Sequence, residues 1–499
     1  MLLMLFSTSM LPPIVFSVHF VPELQPFIAQ GWGQAFPVLF DFGWPVKTDG
    51  SQWAFIYGFM VTFAIGFLAW LPVRNDRRDL RLRDGFGIVA GFWVVLGAFG
   101  AAPLLFSTEP SMTLTDAVFE AISGLTTTGA TVLSGLDTLP RSILYYRQQL
   151  QWLGGVGIIV LAVAVLPMLG VGGMQLYRAE TPGPVKDTKL TPRIAETAKA
   201  LWFVYVGLTV ACAIAYYWAG MDLFDALCHS FSTVAIGGFS PHDASIGYFD
   251  SAAVNLVAIV FMFIAAINFS LHFVAWRSNS IRHYLADPEF RAYASILFSL
   301  CVFVLFYLII NDQYATLDQT IVNGLFQVVS IATTTGFTTT NFSAWPGLLP
   351  VLLIFSSFIG GCAGSTGGGM KVMRVLLLYK QGAREVRRLV HPNAEMPVKI
   401  GRMPVPQRVI DSVWGFFAVY VVLFAGMMLV MLATGMDQVT AFSAVAASLN
   451  NLGPGLGDVA ETFAGINDVA KWVCVAAMLL GRLEIFTLLV LVSSTFWRH

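Results

Sequence analysis

"SIATTTGFTTTN" (330–341) lies between two long apolar stretches of the chain. Its six threonines and one glycine in twelve residues are too polar for the centre of a bilayer. They also carry no charge with which to hold a soluble partner. A shorter relative, "GLTTTGATV", stands at 124–132. One such phrase reads as an ordinary solvated turn, but its recurrence asks for a shared structural purpose.

The surrounding composition narrows that purpose. The 499 residues are 57% hydrophobic and 11% charged, with a mean hydropathy of +0.72. Soluble domains carry about 25% charged residues, and no soluble core could hide this much apolar surface. The class is therefore an integral membrane protein built from helices. The net charge of −1 is uninformative, and no nucleic-acid partner is expected. Cys212, Cys228, Cys301, Cys362 and Cys474 stand singly, mostly in apolar context, and make neither a metal-ligand spacing nor a disulfide framework. The first residues, "MLLMLFSTSMLPPIVFSVHF", lack the basic start of a cleaved signal peptide and read as a retained first helix.

Stretches long enough to cross a bilayer, about 20 residues each, fall near 2–21, 53–72, 86–106, 144–170, 200–219, 251–276, 290–311, 348–380, 410–434 and 467–495. Of the 28 lysines and arginines, 23 lie at 74–83, 178–199, 277–291, 371–408 and Arg498. The alternate loops hold two, Lys47 and Arg141. The positive-inside rule puts the first set and both termini on the cytoplasmic side.

Four of the outward loops are alike: "TDAVFEAISGLTTTGAT", "MDLFDALCHSFSTVAIGGF", "LDQTIVNGLFQVVSIATTTGFT" and "MDQVTAFSAVAASLNNLGPG". Aligned on Gly129, Gly237, Gly336 and Gly453, they recur after 108, 99 and 117 residues, the signature of tandem units. The fold expected is all-α: two N-terminal transmembrane helices in 1–85, then four M1-P-M2 units (helix, re-entrant pore loop, helix) around one pore. Their boundaries are 86–177, 178–285, 286–400 and 401–499. An acidic residue near each short helix start (Asp116, Asp222 or Asp225, Asp318, Asp437) suits the positive end of its dipole. The irregular backbone that follows survives at membrane depth only where it is buried or lines a path. Four such loops meeting on one axis could offer carbonyls in place of a cation's water, glycine allowing the angles this needs. The fourfold repetition carries this reading; a single "TTTG" does not.

Two further features stand apart. "FIGGCAGSTGGGMK" interrupts the second helix of the third unit with six glycines: Gly360, Gly361, Gly364, Gly367, Gly368 and Gly369. Glycine costs a helix up to about 1 kcal/mol per residue, so loop or frayed turn is expected there. Gly360 and Gly364 alone would also suit close helix packing. A phosphate-binding loop is ruled out because Met370 separates the glycines from Lys371 and no strand precedes them. The last apolar stretch, "MLLGRLEIFTLLV", places Arg482 near its midpoint. Arg482 and Glu484 are two apart and do not face each other on a helix, so the arginine needs another partner or a cavity. A structural ion pair is one outcome; a fixed positive charge beneath the filter is the other.

"TTTGAT", "AIGGFS", "TTTGFTTTN" and "NNLGPG" resemble the four filters of the Trk/Ktr/HKT cation transporter superfamily, most closely its bacterial TrkH type. The resemblance covers about 50–497 and includes two helices ahead of the first repeat. It implies potassium uptake across the bacterial inner membrane, with potassium as transported substrate and no organic cofactor. It implies one key glycine per filter (Gly129, Gly237, Gly336, Gly453) with the carbonyls of the two residues before each: Thr127 and Thr128, Ala235 and Ile236, Thr334 and Thr335, Asn451 and Leu452. Members with serine at the first position are associated with sodium, so Gly129 favours potassium. The glycine stretch, with Ser365, Thr366 and Lys371, would be an intramembrane gate loop, and Arg482 its positive partner. The implied partners are a second copy in a homodimer, membrane lipid, and a cytosolic TrkA-type nucleotide-binding ring. The basic stretch 371–408 is a candidate dock for such a regulator.

Rival readings remain at this point. Sodium-permeable or ion-coupled (Na+/H+) symport would use the same scaffold. An intramembrane hydrolase would use Ser365 or Thr366 with a buried histidine such as His272, but lacks a G-x-S-x-G elbow. A receptor or scaffold would pass no ions.

Overall fold

The computed structural model describes residues 1–19, 47–48, 50–75, 82–160, 190–401 and 403–483, with 485, 488, 489, 491 and 493 as isolated positions. The loops 22–52, 74–83 and 178–199 fall partly or almost wholly outside the described residues, as does the end of stretch 144–170. Glu484 and Arg498 lie outside them too.

Among the described residues five helices are long and apolar enough to cross a membrane: Gln52–Val73, Gly87–Phe106, Ala198–Trp218, Pro288–Ile310 and Gln407–Ala433. Phe298, Phe306, Val422 and Leu429 on their outer faces are exposed, apolar surface suited to lipid. Two short antiparallel pairings, Val18–His19 with Lys47–Thr48 and Lys399–Ile400 with Met403–Pro404, are the strands among the described residues. The chain is thus a helical membrane protein, as its composition requires.

Several expected crossings are broken, each for a visible reason. The first stretch is two short helices, Leu2–Ser7 and Pro12–Phe16, joined by a tighter turn. Pro12 and Pro13 deny the backbone donors a continuous helix needs, so 2–21 is no full-length crossing. Helices Ala252–Ala265 and Phe269–Ser278 are bent by 95° to each other. There Asn268 caps the second helix through Ser270 N at 2.8 Å, and the Ala266 carbonyl accepts from Cys362 N at 2.9 Å. Helix Leu349–Ser357 stops before the glycine stretch and resumes at Val372–Val390. Helix Asp468–Arg482 ends on the arginine that the sequence placed at mid-helix.

Between these elements stand four short helices: Leu114–Leu125, Leu223–Ala235, Leu317–Ala332 and Gln438–Leu449. Side-chain oxygens cap each start, from Thr113, Asp222, Thr316 and Asp437. Asp222 is therefore the second cap and Asp225 a first-turn acid. Caps of this kind satisfy donors the helix cannot. The C-terminal halves are buried, so these helices present their negative ends to the protein interior.

Candidate functional site

All four short helices end in the same way. Thr127, Ile236, Thr334 and Asn451 take left-handed φ values of 49°, 55°, 68° and 53°. Their amides reach back three residues, to Gly124, Thr233, Ile331 and Ser448. The next amides, of Thr128, Gly237, Thr335 and Leu452, reach back five residues at 2.8 Å each. Then come glycines at positive φ: Gly129 (82°), Gly238 (78°), Gly336 (83°) and Gly453 (102°).

This pattern corrects the alignment of the second loop. "AIGG" offers two glycines, and the sequence reading chose Gly237. The hydrogen bonds and φ values instead put Ile236 in the place of Thr127, Gly237 in that of Thr128, and Gly238 in that of Gly129. Ala235 moves down into the last turn of its helix.

The four extended segments 127–129, 236–238, 334–336 and 451–453, the filter strands, close on one another without β-pairing. A Cβ on Gly129 would lie 2.0 Å from the Gly237 carbonyl oxygen, and one on Gly238 2.1 Å from that of Thr335. On Gly336 it would lie 2.1 Å from the Leu452 oxygen, and on Gly453 2.8 Å from that of Thr128. Each glycine packs on the next strand's carbonyl, and the fourth returns to the first. Any side chain at these positions would strike backbone, so the ring requires glycine.

Side chains hold the strands from behind. Thr126 and Thr128 share a hydroxyl contact at 2.8 Å, and Thr333 and Thr335 repeat it at 2.8 Å. Asn451 donates to the Thr128 hydroxyl at 3.0 Å and to the Met478 carbonyl at 3.0 Å. The buried Thr127 hydroxyl has no partner among the described residues. Outside the ring a cavity of about 300 Å³ is lined by Gly129, Gly238, Gly336, Gly453, Arg147 and Glu461. Within it the buried Arg147 pairs with the buried Glu120 at 2.7 Å. Arg147 also donates to the Ser240 carbonyl and the Thr131 hydroxyl, each at 3.1 Å. That knot ties the first short helix to the exits of two strands. The sequence reading missed Glu120, Arg147 and Gln151, although "YYRQQLQW" (145–152) is conspicuously polar for an apolar stretch.

At the outer rim, His242 reaches Asp137 with Nδ1 (2.5 Å) and Asp225 with Nε2 (3.2 Å). Burial pulls its imidazole down, but the two carboxylates more than offset this and raise it above its ordinary pKa.

Beneath the ring lies the glycine stretch. Gly360 and Gly364 sit at φ 68° and 73°, so they belong to a loop and the helix-packing reading falls. The loop meets the third strand and the ends of the second and fourth short helices from below. The Thr366 hydroxyl donates to the Val234 carbonyl (2.9 Å), Gly368 N to the Thr334 hydroxyl (2.6 Å), and Gly369 N to the Asn450 carbonyl (3.0 Å). A Cβ on Gly368 would lie 2.0 Å from the Asn450 oxygen. Glu289 grips both flanks, accepting from Ala363 N (2.7 Å) and Met373 N (3.2 Å). Lys371 donates to the Gly367 carbonyl. Arg482 donates to the Thr366 carbonyl at 3.0 Å. Gly367 packs on Gly361, a Cβ on it meeting Gly361 Cα at 3.4 Å, and a Cβ on Gly361 would meet the Ser365 hydroxyl at 2.7 Å.

The hydrolase reading finds no support in this geometry. Ser365 donates to the Cys362 carbonyl at 2.7 Å, whereas His272 bonds Tyr284 (2.8 Å) and the Ile264 carbonyl (3.0 Å).

A helical membrane protein with four glycine-bearing strands closed into a ring is the class defined by fold and site. The family model "TrkH: Cation transport protein" matches residues 51–498, and the chain belongs to that family. It is 60% identical to the "Trk system potassium uptake protein TrkH" of Vibrio parahaemolyticus, over 90% of this chain and 93% of that one. It is 55% identical to the protein of the same name from Halomonas elongata, covering 100% and 98%. Its fold matches the crystal structure of the potassium transporter TrkH from Vibrio parahaemolyticus with a TM-score of 0.87 at 53% identity, covering 100% and 97%.

Proposed function

We propose that this chain takes up potassium across the bacterial inner membrane through a filter formed by its four glycine-bearing strands. The closed ring, glycine against neighbouring carbonyl in every strand, carries the reading. Alternation of left-handed and other backbone angles along each strand turns successive carbonyls toward one side, where they replace a cation's water. The filter positions are Thr127, Thr128 and Gly129; Ile236, Gly237 and Gly238; Thr334, Thr335 and Gly336; Asn451, Leu452 and Gly453. Potassium is the substrate, moved by the inside-negative potential, worth about 2.3 kcal/mol per charge per 100 mV.

Each short helix, with the helices before and after it, forms one of four tandem units, bounded as the sequence suggests, behind the broken first stretch Leu2–Phe16 and helix Gln52–Val73. The loop 360–371 is the gate, because it lies directly beneath the ring, against the third strand and the ends of the second and fourth short helices. Arg482 supplies a positive charge that opposes cations until the loop moves. Both termini face the cytoplasm, two copies pair in the membrane, and a TrkA-type ring docks against the basic segment 371–408.

Growth rescue of potassium-uptake-deficient cells at low potassium tests this. The unsubstituted chain is expected to rescue and Gly129→Ser to lose rescue or selectivity. Failure of the unsubstituted, membrane-inserted chain to rescue would sink the proposal.

A further inference from the structure

Three of the four strands carry a side chain at the ring-carbonyl position: Thr128, Thr335 and Leu452. The second carries none, because Gly237 stands there, followed by Gly238. Two successive glycines leave that peptide the greatest rotational freedom of the four. The threonine contacts that brace the first and third strands have no counterpart in "AIGG".

Gln151 fills the gap. It is fully buried on helix Arg141–Val160. Its amide occupies the space a side chain on Gly237 would take, since a Cβ there would meet Gln151 Cδ at 2.4 Å. Nε2 donates to the Gly237 carbonyl at 2.6 Å, and Oε1 accepts from Phe239 N at 3.1 Å. A backbone N–H only donates, so the Phe239 contact fixes which end of the amide faces the carbonyl. Among the described residues, the Gly237 oxygen is the only one of the four ring carbonyls that accepts a hydrogen bond from the protein.

We infer that Gln151 is a specificity-determining positioning residue: its amide clamps the Gly237 carbonyl in place and so sets how well the ring rejects sodium. The inference rests on the filter reading above. A clamped oxygen keeps the ring at one radius, whereas a free one follows a smaller ion inward, and size discrimination falls.

Gln151→Glu isolates the clamp. It keeps the volume and the oxygen facing Phe239 N, but an ionised carboxylate has no proton to give Gly237. Full-length protein in proteoliposomes is assayed for labelled rubidium uptake competed by potassium and by sodium. The expected result is a roughly three- to tenfold loss of preference for potassium over sodium, the worth of one hydrogen bond. The preference should return as pH is lowered and the carboxyl regains a proton. An active variant with unchanged preference at alkaline pH, where the buried carboxyl is ionised, overturns the clamp. Absence of potassium-sensitive uptake by the unsubstituted protein instead defeats the filter itself.

If Gln151→Glu does not accumulate, solid-state NMR of unsubstituted protein decides. The labelled Gly237 carbonyl is expected to hold one shift in potassium and sodium while the Thr335 carbonyl moves. Equal movement of both overturns the inference.

Discussion

Arg482 donates one hydrogen bond, from Nη1 to the Thr366 carbonyl at 3.0 Å, and its buried Nε and Nη2 have no partner among the described residues. Among the described residues the guanidinium is tied to the loop beneath the ring by this hydrogen bond and forms no ion pair. The structural ion pair weighed from sequence is not what these contacts form.

Removing that charge is expected to raise unstimulated flux. A nearby unit charge opposes a passing cation by about 1–4 kcal/mol, so Arg482→Ala should increase rubidium flux about tenfold or more. Arg482→Lys should fall between the two. Flux in proteoliposomes without any regulator checks this, and unchanged or lower flux would count against the charge barrier.

The register of the second strand predicts different fates for its two glycines. Gly238→Ala meets the Thr335 backbone at 2.1 Å from a left-handed conformation, and no partner change can relieve it. For Gly237→Ala the three nearest atoms all belong to the Gln151 side chain, at 2.4–2.7 Å. Gly237→Ala combined with Gln151→Ala should therefore recover stability and rubidium uptake, with the weaker preference for potassium that loss of the Gln151 clamp brings, whereas Gly238→Ala with Gln151→Ala should not. Measuring uptake for the two double variants decides which glycine is the ring glycine.

Glu120 and Arg147 form a buried pair whose single removal strands a charge. Arg147→Met is expected to lower stability by about 3–5 kcal/mol, read as a fall in Tm in detergent. Replacing both with apolar residues should cost less than Arg147→Met alone. Arg147→Met as stable as the unsubstituted protein would refute a stabilising role for the Glu120–Arg147 pair.

Much of this was legible in the sequence, for identifiable reasons. Gly129, Gly336 and Gly453 could be aligned because each stands alone after a polar run, and the glycine loop announced itself by density. The second strand misled because two adjacent glycines fit equally well and only hydrogen-bond geometry separates them. Arg482 was expected at mid-helix because hydropathy runs on past it, whereas helix Asp468–Arg482 ends there, and helix is described again only at 488, 489 and 491. Glu120, Arg147 and Gln151 escaped because a polar residue in an apolar stretch does not reveal its partner, here up to 93 residues away.

The outer rim adds a pH dependence. His242 has a raised pKa in the folded protein, so its bridge between Asp137 and Asp225 contributes full stability below its unfolded pKa of about 6.5. That contribution disappears as pH rises through the higher folded value. Tm should fall as pH rises from about 6.5 through that higher folded value, and His242→Gln should flatten that slope. Parallel slopes for the two proteins would remove His242 as the cause.

The most direct test is uptake of labelled rubidium into proteoliposomes holding the full-length protein under an inside-negative potential. Saturable uptake that potassium suppresses more strongly than sodium is the expected result. Uptake no greater than in protein-free vesicles, with the protein correctly inserted, would contradict a potassium filter built from these four strands.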